Sequence, residues 1–317
     1  MSKARELAEL GAVYDSGALS NRNMIINGNM EIAQRGTSQT SAGYGTLDRF
    51  NMSLSGATAT MTQESFTIGQ TDVPGSDKYL KLAVSTGNNN SGVYYKIEAK
   101  DAIAVIGKKV TASYYAKGTS PAAGLQVAME WYDGSSSSPS SSTTVTLTSS
   151  WVKYTHTFDV PSISGLTLTN ANAYLEIKWA QANADTGTGA YEVNLAQVQL
   201  EVGTEATPFE HRSFGDELAL CQRYYHYQGK AANTALIGGY HASADDDYCG
   251  YTVFPTQMRA TPTFTRNGTF TVFNCGQPNA IFLSKESCTL YANVSGPANW
   301  YAHANGTDDF FEWDAEL

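Results

Sequence analysis

The strongest constraint in this sequence is a two-residue alternation of apolar and polar side chains. It recurs between residues 48 and 201 and is interrupted, at intervals of roughly ten residues, by Gly, Asn, Ser or Asp. Successive side chains of a strand point to opposite faces, so this pattern buries one face of each segment. Leu80, Leu82 and Val84 form one inward set. Leu125, Val127, Met129 and Trp131 form a second, and Ala173, Leu175, Ile177 and Trp179 a third. A helix would need apolar residues three and four apart, and the region does not sustain that period. Strands are predicted over 48–54, 58–66, 79–85, 93–99, 108–117, 124–132, 143–147, 151–160, 172–180 and 190–201. The expected fold is an all-β sandwich with Trp131 and Trp179 in its core. On its strand from Trp151, the inward set is Val152, Tyr154, His156 and Phe158.

The loops between these strands are rich in Ser, Thr, Asn and Gly rather than charge. The runs at 133–142 and 182–189 read as solvated tips with nothing large to pack. Only 16% of the 317 residues are charged, and 30 acidic residues face 20 basic ones, a formal charge of -10. There is no basic field to attract phosphates, which argues against general nucleic-acid binding. No apolar run approaches the ~18 residues of a membrane span, and the first residues lack the apolar stretch of a secretory leader. Synthesis in the cytoplasm is expected.

Catalytic and metal signatures are absent. There is no GxSxG, HExxH, GxxxxGK[ST] or helix-opening GxGxxG, and the five histidines are scattered. Cys221, Cys249, Cys275 and Cys288 form no CxxC pair and read as packing thiols. The acid groups at 245–247 and at Asp308, Asp309, Glu312 and Asp314 lack the spacing of a calcium loop. The expectation is a non-enzymatic protein with no cofactor and no metal.

The two ends differ from the middle. Residues 1–22 begin with Ser2 as a cap and a short helix that Gly11 stops, too short to hold alone in water. This segment wants a partner, and Leu7, Leu10, Val13 and Tyr14 are its docking candidates. A sandwich over 23–210 follows, then a junction at 211–228 with a helix over 215–225. In that helix Leu218, Cys221, Gln222 and Tyr225 share a face. Residues 229–317 form a smaller β domain. The stretch from 211 onward holds 18 of the 36 aromatic rings, with 11 acidic and 6 basic residues.

Rings on outward strand positions, beside amides and carboxylates, are what sugar recognition needs. Alternation turns Tyr94, Tyr115 and Tyr132 outward, and places Trp151 at a strand start with Glu130, Glu176 and Lys178 as candidate polar neighbours. In the last domain Trp300, Tyr301 and Trp313 alternate with Asn, His and Glu, as at binding hot spots or subunit interfaces.

Two stretches carry a family resemblance. Residues 21–37, opening Asn21-Arg22-Asn23-Met24, followed by 43–50, resemble the start of the β-sandwich in bacteriophage tail-fibre and receptor-binding proteins. Residues 195–225 are similar to the closing strand and junction helix of that group. Residues 106–117 and 151–161 resemble strands of carbohydrate-binding-module jelly rolls, and 255–262, in the tip domain, share the resemblance to the phage group more weakly. The resemblance covers 21 to about 228 and brings no catalytic residues. It implies a jelly roll in a virion protein, as a homotrimer. Such a protein would attach to the phage tail or an adaptor protein through its N-terminus and present its distal domain to host polysaccharide or an outer-membrane receptor. A structural virion protein, such as a capsid decoration or head fibre, is the alternative. A polysaccharide depolymerase is a third, against which the lack of clustered carboxylates counts.

Overall fold

The computed structural model describes residue 3 and residues 21–87, 91–182, 189–231, 235–241, 247–294 and 298–317. The expected N-terminal helix, with Leu7, Leu10, Val13 and Tyr14, lies outside the described residues, as do 183–188 of the second tip and Asp245 and Asp246 of the first acid group. No described helix is long and apolar enough to cross a membrane. The chain divides into two compact units, residues 1–214 with Leu317, and residues 215–316.

The first unit is a jelly-roll β-sandwich. Its strands are β1 (Ser38–Gln39), β2 (Phe50–Ser53), β3 (Thr58–Ser65), β4 (Lys78–Thr86), β5 (Gly92–Glu98), β6 (Lys109–Thr119), β7 (Leu125–Tyr132), β8 (Ser141–Val145), β9 (Val152–Asp159), β10 (Tyr174–Gln181) and β11 (Tyr191–Val202). One short helix, α1 (Ala99–Ala102), follows β5. The chain crosses repeatedly between a six-stranded sheet ordered β1-β3-β4-β11-β6-β9 and a five-stranded sheet ordered β2-β5-β10-β7-β8. All the pairings are antiparallel. The alternation read from the sequence decides what lies between the sheets. Leu80, Leu82, Leu125, Val127, Met129, Trp131, Leu175 and Trp179 have no exposed surface. The inward set of β9 is a partial correction. Phe158 is buried, whereas Val152 is exposed and Tyr154 and His156 are half-buried. β9 is the edge of its sheet and has a strand to cover it on one side only.

The two stretches that carry the resemblance strap onto each other. Asn23 Oδ1 accepts from the backbone N–H of Leu200 and of Ile25, both at 3.0 Å, and its Nδ2 donates to the Val198 carbonyl at 3.2 Å. The Glu210 carboxylate accepts from the Asn23 N–H at 2.8 Å, and Arg212 Nη1 donates to the Ile25 carbonyl at 3.1 Å. Gly28 closes the strap. A Cβ there would lie 2.2 Å from the Val198 carbonyl oxygen, and Val198 N–H donates to the Gly28 carbonyl at 2.9 Å. The opposing strand is bulged between Ala196 and Gln199, with Gln197 at φ 48°. Asparagine is suited to this work because its short amide can satisfy backbone groups that no ladder pairs.

The serine-rich run at 133–142 is a second correction, since it is anchored. The Asp133 carboxylate accepts from Ser135 N–H, Ser136 N–H and Thr167 N–H, which holds its carboxyl down at about 2. Ser138 is buried and accepts from the Trp131 N–H at 2.9 Å.

Among its described residues the second unit contains nine strands in three antiparallel sheets of three. Helix α2 (Phe214–Gln222) precedes β12 (Tyr225–Gln228), β13 (Ala235–His241), β14 (Asp247–Val253), β15 (Thr263–Asn267), β16 (Thr271–Phe273), β17 (Asn279–Ile281), β18 (Ser287–Asn293), β19 (Ala298–His303) and β20 (Phe310–Asp314). The sheets are β12-β20-β15, β13-β19-β16 and β14-β18-β17. The helix ends before the predicted Tyr225, because Tyr225 pairs with Asp314 as the first residue of β12. Much of the aromatic surplus is core. Phe254, Phe270, Phe311 and Trp313 pack together, and His226 stacks on Trp313 at 5.6 Å between ring centres. Cys221, Cys275 and Cys288 are buried free thiols. Within the tail acid group, Asp309 is structural, its carboxylate accepting from Thr269 N–H and Asn305 N–H.

Candidate functional site

The outer face of the five-stranded sheet collects the chemistry that the sequence had scattered. Strand β10 lies between β5 and β7, and turning Leu175, Ile177 and Trp179 inward leaves Tyr174, Glu176 and Lys178 outward. The register then fixes three cross-strand rows. Asn51, Tyr94, Lys178 and Ala128 form the first, Lys96, Glu176 and Glu130 the second, and Glu98, Tyr174 and Tyr132 the third. Directly opposed side chains in such rows lie close enough to interact.

The contacts follow from that placement. Lys178 Nζ donates to Glu130 Oε1 at 2.7 Å and lies 5.4 Å from the centre of the Tyr94 ring. Lys96 Nζ sits 4.6 Å from the centre of the Tyr174 ring, and Tyr174 and Tyr132 are 5.1 Å apart between centres. Ammonium groups over ring faces are attracted to the negative face of the π system. Glu176, in the middle of the middle row, is only 5% exposed and Lys178 7%. Among the described residues no hydrogen bond holds the Glu176 carboxyl, on which only burial and neighbouring charges act. Burial therefore pushes it up from an ordinary 4.5 to about 7, Glu130 raising it further while Lys178 and Lys96 pull it down. The Tyr94 and Tyr174 hydroxyls are held above their usual range by burial first and by the Glu176 charge second.

Tyr94 and Tyr132 thus meet on one face with Glu130, Glu176 and Lys178. Tyr174 and Lys96 complete the group, and the reading from sequence passed over both. The alternation of β10 already turns Tyr174 outward, and that signal could have found it. Glu130 and Glu176 also form a carboxylate pair that no local signature in the sequence marks.

Trp151 is a correction, because its polar neighbours are not those three residues. It packs on the other sheet's side of the sandwich, 5.2 Å from Phe66 and 5.3 Å from Tyr79 between ring centres, with Lys117 Nζ 5.0 Å from its own. Three rings sharing their faces with one another and one ammonium satisfy themselves. Tyr115 is on the same outer face of the six-stranded sheet, opposite Lys153. Phe66 also borders a cleft of about 500 Å³ formed with Glu31, Gln70, Ser76 and Asp77.

In the second unit Trp313 has no exposed surface and Trp300 is 3% exposed, so neither presents a ring face to a ligand. Strand parity decides this, since both sit on the inward register of β20 and β19. Tyr301 takes the outward register of β19 and is exposed. Among the described residues no group of three His, Cys, Asp or Glu side chains is arranged to hold a metal ion.

No protein-family model matches the chain, and no curated protein matches it. Among solved structures, the chain is similar to the enzymatically active domain of tailspike protein 4 from bacteriophage CBA120. The identity is 13% over 57% of this chain and 22% of that one, with a TM-score of 0.36. It is also similar to a putative sugar binding protein from Bacteroides thetaiotaomicron, at 12% identity over 57% and 100% of the two chains and a TM-score of 0.35. A family 11 carbohydrate-binding module of a Clostridium thermocellum cellulosomal cellulase gives 14%, 54%, 98% and 0.34. The chain thus spans less than a quarter of the tailspike chain, and none of these similarities assigns an activity to a residue here.

Proposed function

We propose that the outer face of the five-stranded sheet binds a glycan, and that the chain is a bacteriophage tail fibre that uses such contacts to recognise its host. The observation that carries the binding reading is Glu176. A carboxyl group that is almost fully buried, held by no hydrogen bond among the described residues, and ringed by Tyr94, Tyr174, Lys96 and Lys178 has unused capacity for a ligand hydroxyl. The tyrosines supply ring surface for the CH faces of a sugar. Residues 1–22 would attach the fibre to the tail or an adaptor protein, three copies would act together, and residues 229–317 would meet the host surface. That part rests on the resemblance of residues 21–50 and 195–225. Tethered copies raise avidity by ~100-fold or more without new contacts.

The test is binding of host-surface polysaccharide by the full chain, with Tyr94→Ala and Tyr174→Ala as variants. Wild-type binding that both variants weaken supports the glycan reading, and wild-type protein that binds neither polysaccharide nor host cells overturns it. Electron microscopy of labelled particles tests the assignment to the tail. Label on the capsid shell would replace it with a structural decoration protein. The opposed Glu130 and Glu176 give the depolymerase reading a concrete form, and release of reducing ends from the polysaccharide would support it. We favour binding over cleavage because Lys178 engages Glu130 at 2.7 Å, leaving one carboxyl where hydrolysis uses two.

A further inference from the structure

The cleft beside Phe66 is a second concave site of the first unit, apart from the outer face of the five-stranded sheet. Its walls come from two places in the sequence. The β3–β4 loop, residues 66–77, supplies Phe66, Ile68, Gln70, Ser76 and Asp77, and the segment before β1 supplies Glu31. Gln63 of β3 ties that segment down, its Nε2 donating to the Met30 carbonyl at 2.7 Å and to the Glu31 carbonyl at 3.2 Å.

The loop is held in shape by its own polar groups. The Gln70 side chain accepts from the Val73 N–H at 2.8 Å and donates to the Val73 and Ser76 carbonyls at 2.6 and 3.1 Å. Phe66 N–H donates to the Asp77 carbonyl at 2.9 Å, which closes the loop at its base. Ser76 Oγ donates to Asn29 Oδ1, and Asn29 Nδ2 donates to Glu31 Oε1 at 2.7 Å, so the Glu31 carboxylate is oriented as well. A site whose shape is fixed in advance loses less entropy when a ligand arrives.

Charge selects the ligand. The cleft, of about 500 Å³, is lined by two carboxylates, Glu31 and Asp77, and by no Lys, Arg or His. Lysines of β4 are engaged elsewhere, Lys78 donating to Ser65 Oγ at 2.8 Å and Lys81 pairing with Glu192 at 3.1 Å. Among the described residues the Asp77 carboxylate and the second oxygen of Glu31 have no partner. A neutral sugar would leave both charges uncompensated, and an anion would add a third. A bare metal ion wants more oxygen ligands than two carboxylates, and it has no use for the carbon surface of Phe66 and of the fully exposed Ile68. An ammonium group on a carbon frame answers both features, since a charge-assisted hydrogen bond is roughly twice as strong as a neutral one. We propose that this cleft binds an organic primary amine, carried by an amino sugar or by a lysine side chain. The site lies on a different face from Tyr94 and Glu176 and does not depend on the glycan reading.

The test is calorimetric titration of the full chain with glucosamine, N-acetylglucosamine and Nα-acetyl-lysine amide, for wild type, Asp77→Asn, Glu31→Gln and Glu205→Gln. Wild type is expected to bind glucosamine about tenfold or more tightly than its N-acetyl form, which lacks the charge. Asp77→Asn and Glu31→Gln keep the side-chain shape and should each weaken amine binding by about tenfold. Glu205→Gln removes the same charge from an exposed position outside the cleft and should leave binding unchanged. Asp77 is exposed, so its variant tests the site even if Glu31→Gln does not fold. Tighter binding of glucosamine than of the lysine derivative identifies an amino sugar as the source, and the reverse order a basic side chain; either supports the site. Equal binding of the charged and acetylated sugars overturns it. An equal loss in all three variants also overturns it, because attraction to a chain of charge -10 would then suffice. No amine binding by wild type overturns the cleft and leaves the glycan reading standing, whereas Tyr94→Ala, which tests that reading, should bind amines as wild type does.

Discussion

Glu130 and Glu176 stand directly opposite each other on neighbouring strands, and Lys178 forms an ion pair with Glu130 at 2.7 Å. Two like charges in a cross-strand pair destabilise a sheet. Here one carboxylate is neutralised by the lysine, and the other is driven toward its protonated form by burial.

The first prediction is a pH dependence of the first unit. Glu176 titrates at about 7 in the fold against an ordinary 4.5. Between those values the unfolded chain has lost the proton that the folded chain keeps. The contribution to stability is therefore complete below 4.5 and is lost as pH rises through 7, up to about 3 kcal/mol. Glu176→Gln should remove this decline. Denaturant unfolding of both proteins at pH 4.5 and pH 8 checks it, and parallel pH profiles would refute the assignment.

His226 should give the second unit the opposite response. Burial lowers it from 6.5 to about 4, so the unfolded state takes up a proton that the folded state refuses. Stability is complete above 6.5 and falls as pH drops toward 4, by at most about 3 kcal/mol. His226→Phe keeps a ring against Trp313 and removes the titration. Trp313 fluorescence through acid unfolding should then show a midpoint shifted to lower pH.

The aromatic groups on the two sides of the sandwich should separate in a binding assay. Tyr94→Ala and Tyr174→Ala each remove ring surface beside Glu176, and each should weaken glycan binding by about tenfold. Trp151→Ala disrupts a cluster on the other sheet and should leave affinity unchanged while lowering thermal stability. Calorimetric titration of the three variants decides, and loss of binding in Trp151→Ala alone would move the site to that sheet.

Gly28 tests the strap. The atom that an added Cβ would meet, at 2.2 Å, is a backbone oxygen that no rotamer change can move away. Gly28→Ala should cost about 1–3 kcal/mol, read as a lower unfolding temperature of the first unit. An unchanged temperature would show that the strap yields.

The sequence by itself determined ten of the eleven described strands of the sandwich, all but β1, and, β9 apart, the side their residues face. Leu80, Val127 and Trp179 are buried because alternation has a period of two regardless of which strands become neighbours. The same rule turned Tyr94 and Tyr132 outward. It also applied to Tyr174, Trp300 and Trp313, where parity was legible but ring chemistry drew the reading elsewhere.

Only the tertiary structure decided which outward residues meet. Tyr94, Glu176 and Glu130 become neighbours because β10 lies between β5 and β7, and Trp151 lies on the other side because β9 joins the other sheet. Strand order is a non-local property. It depends on how well whole sheets bury their inner faces, so it leaves no periodic trace in the residues themselves. The protonation of Glu176 has the same origin, since the burial and the neighbouring charges that set it exist only once those three strands are paired.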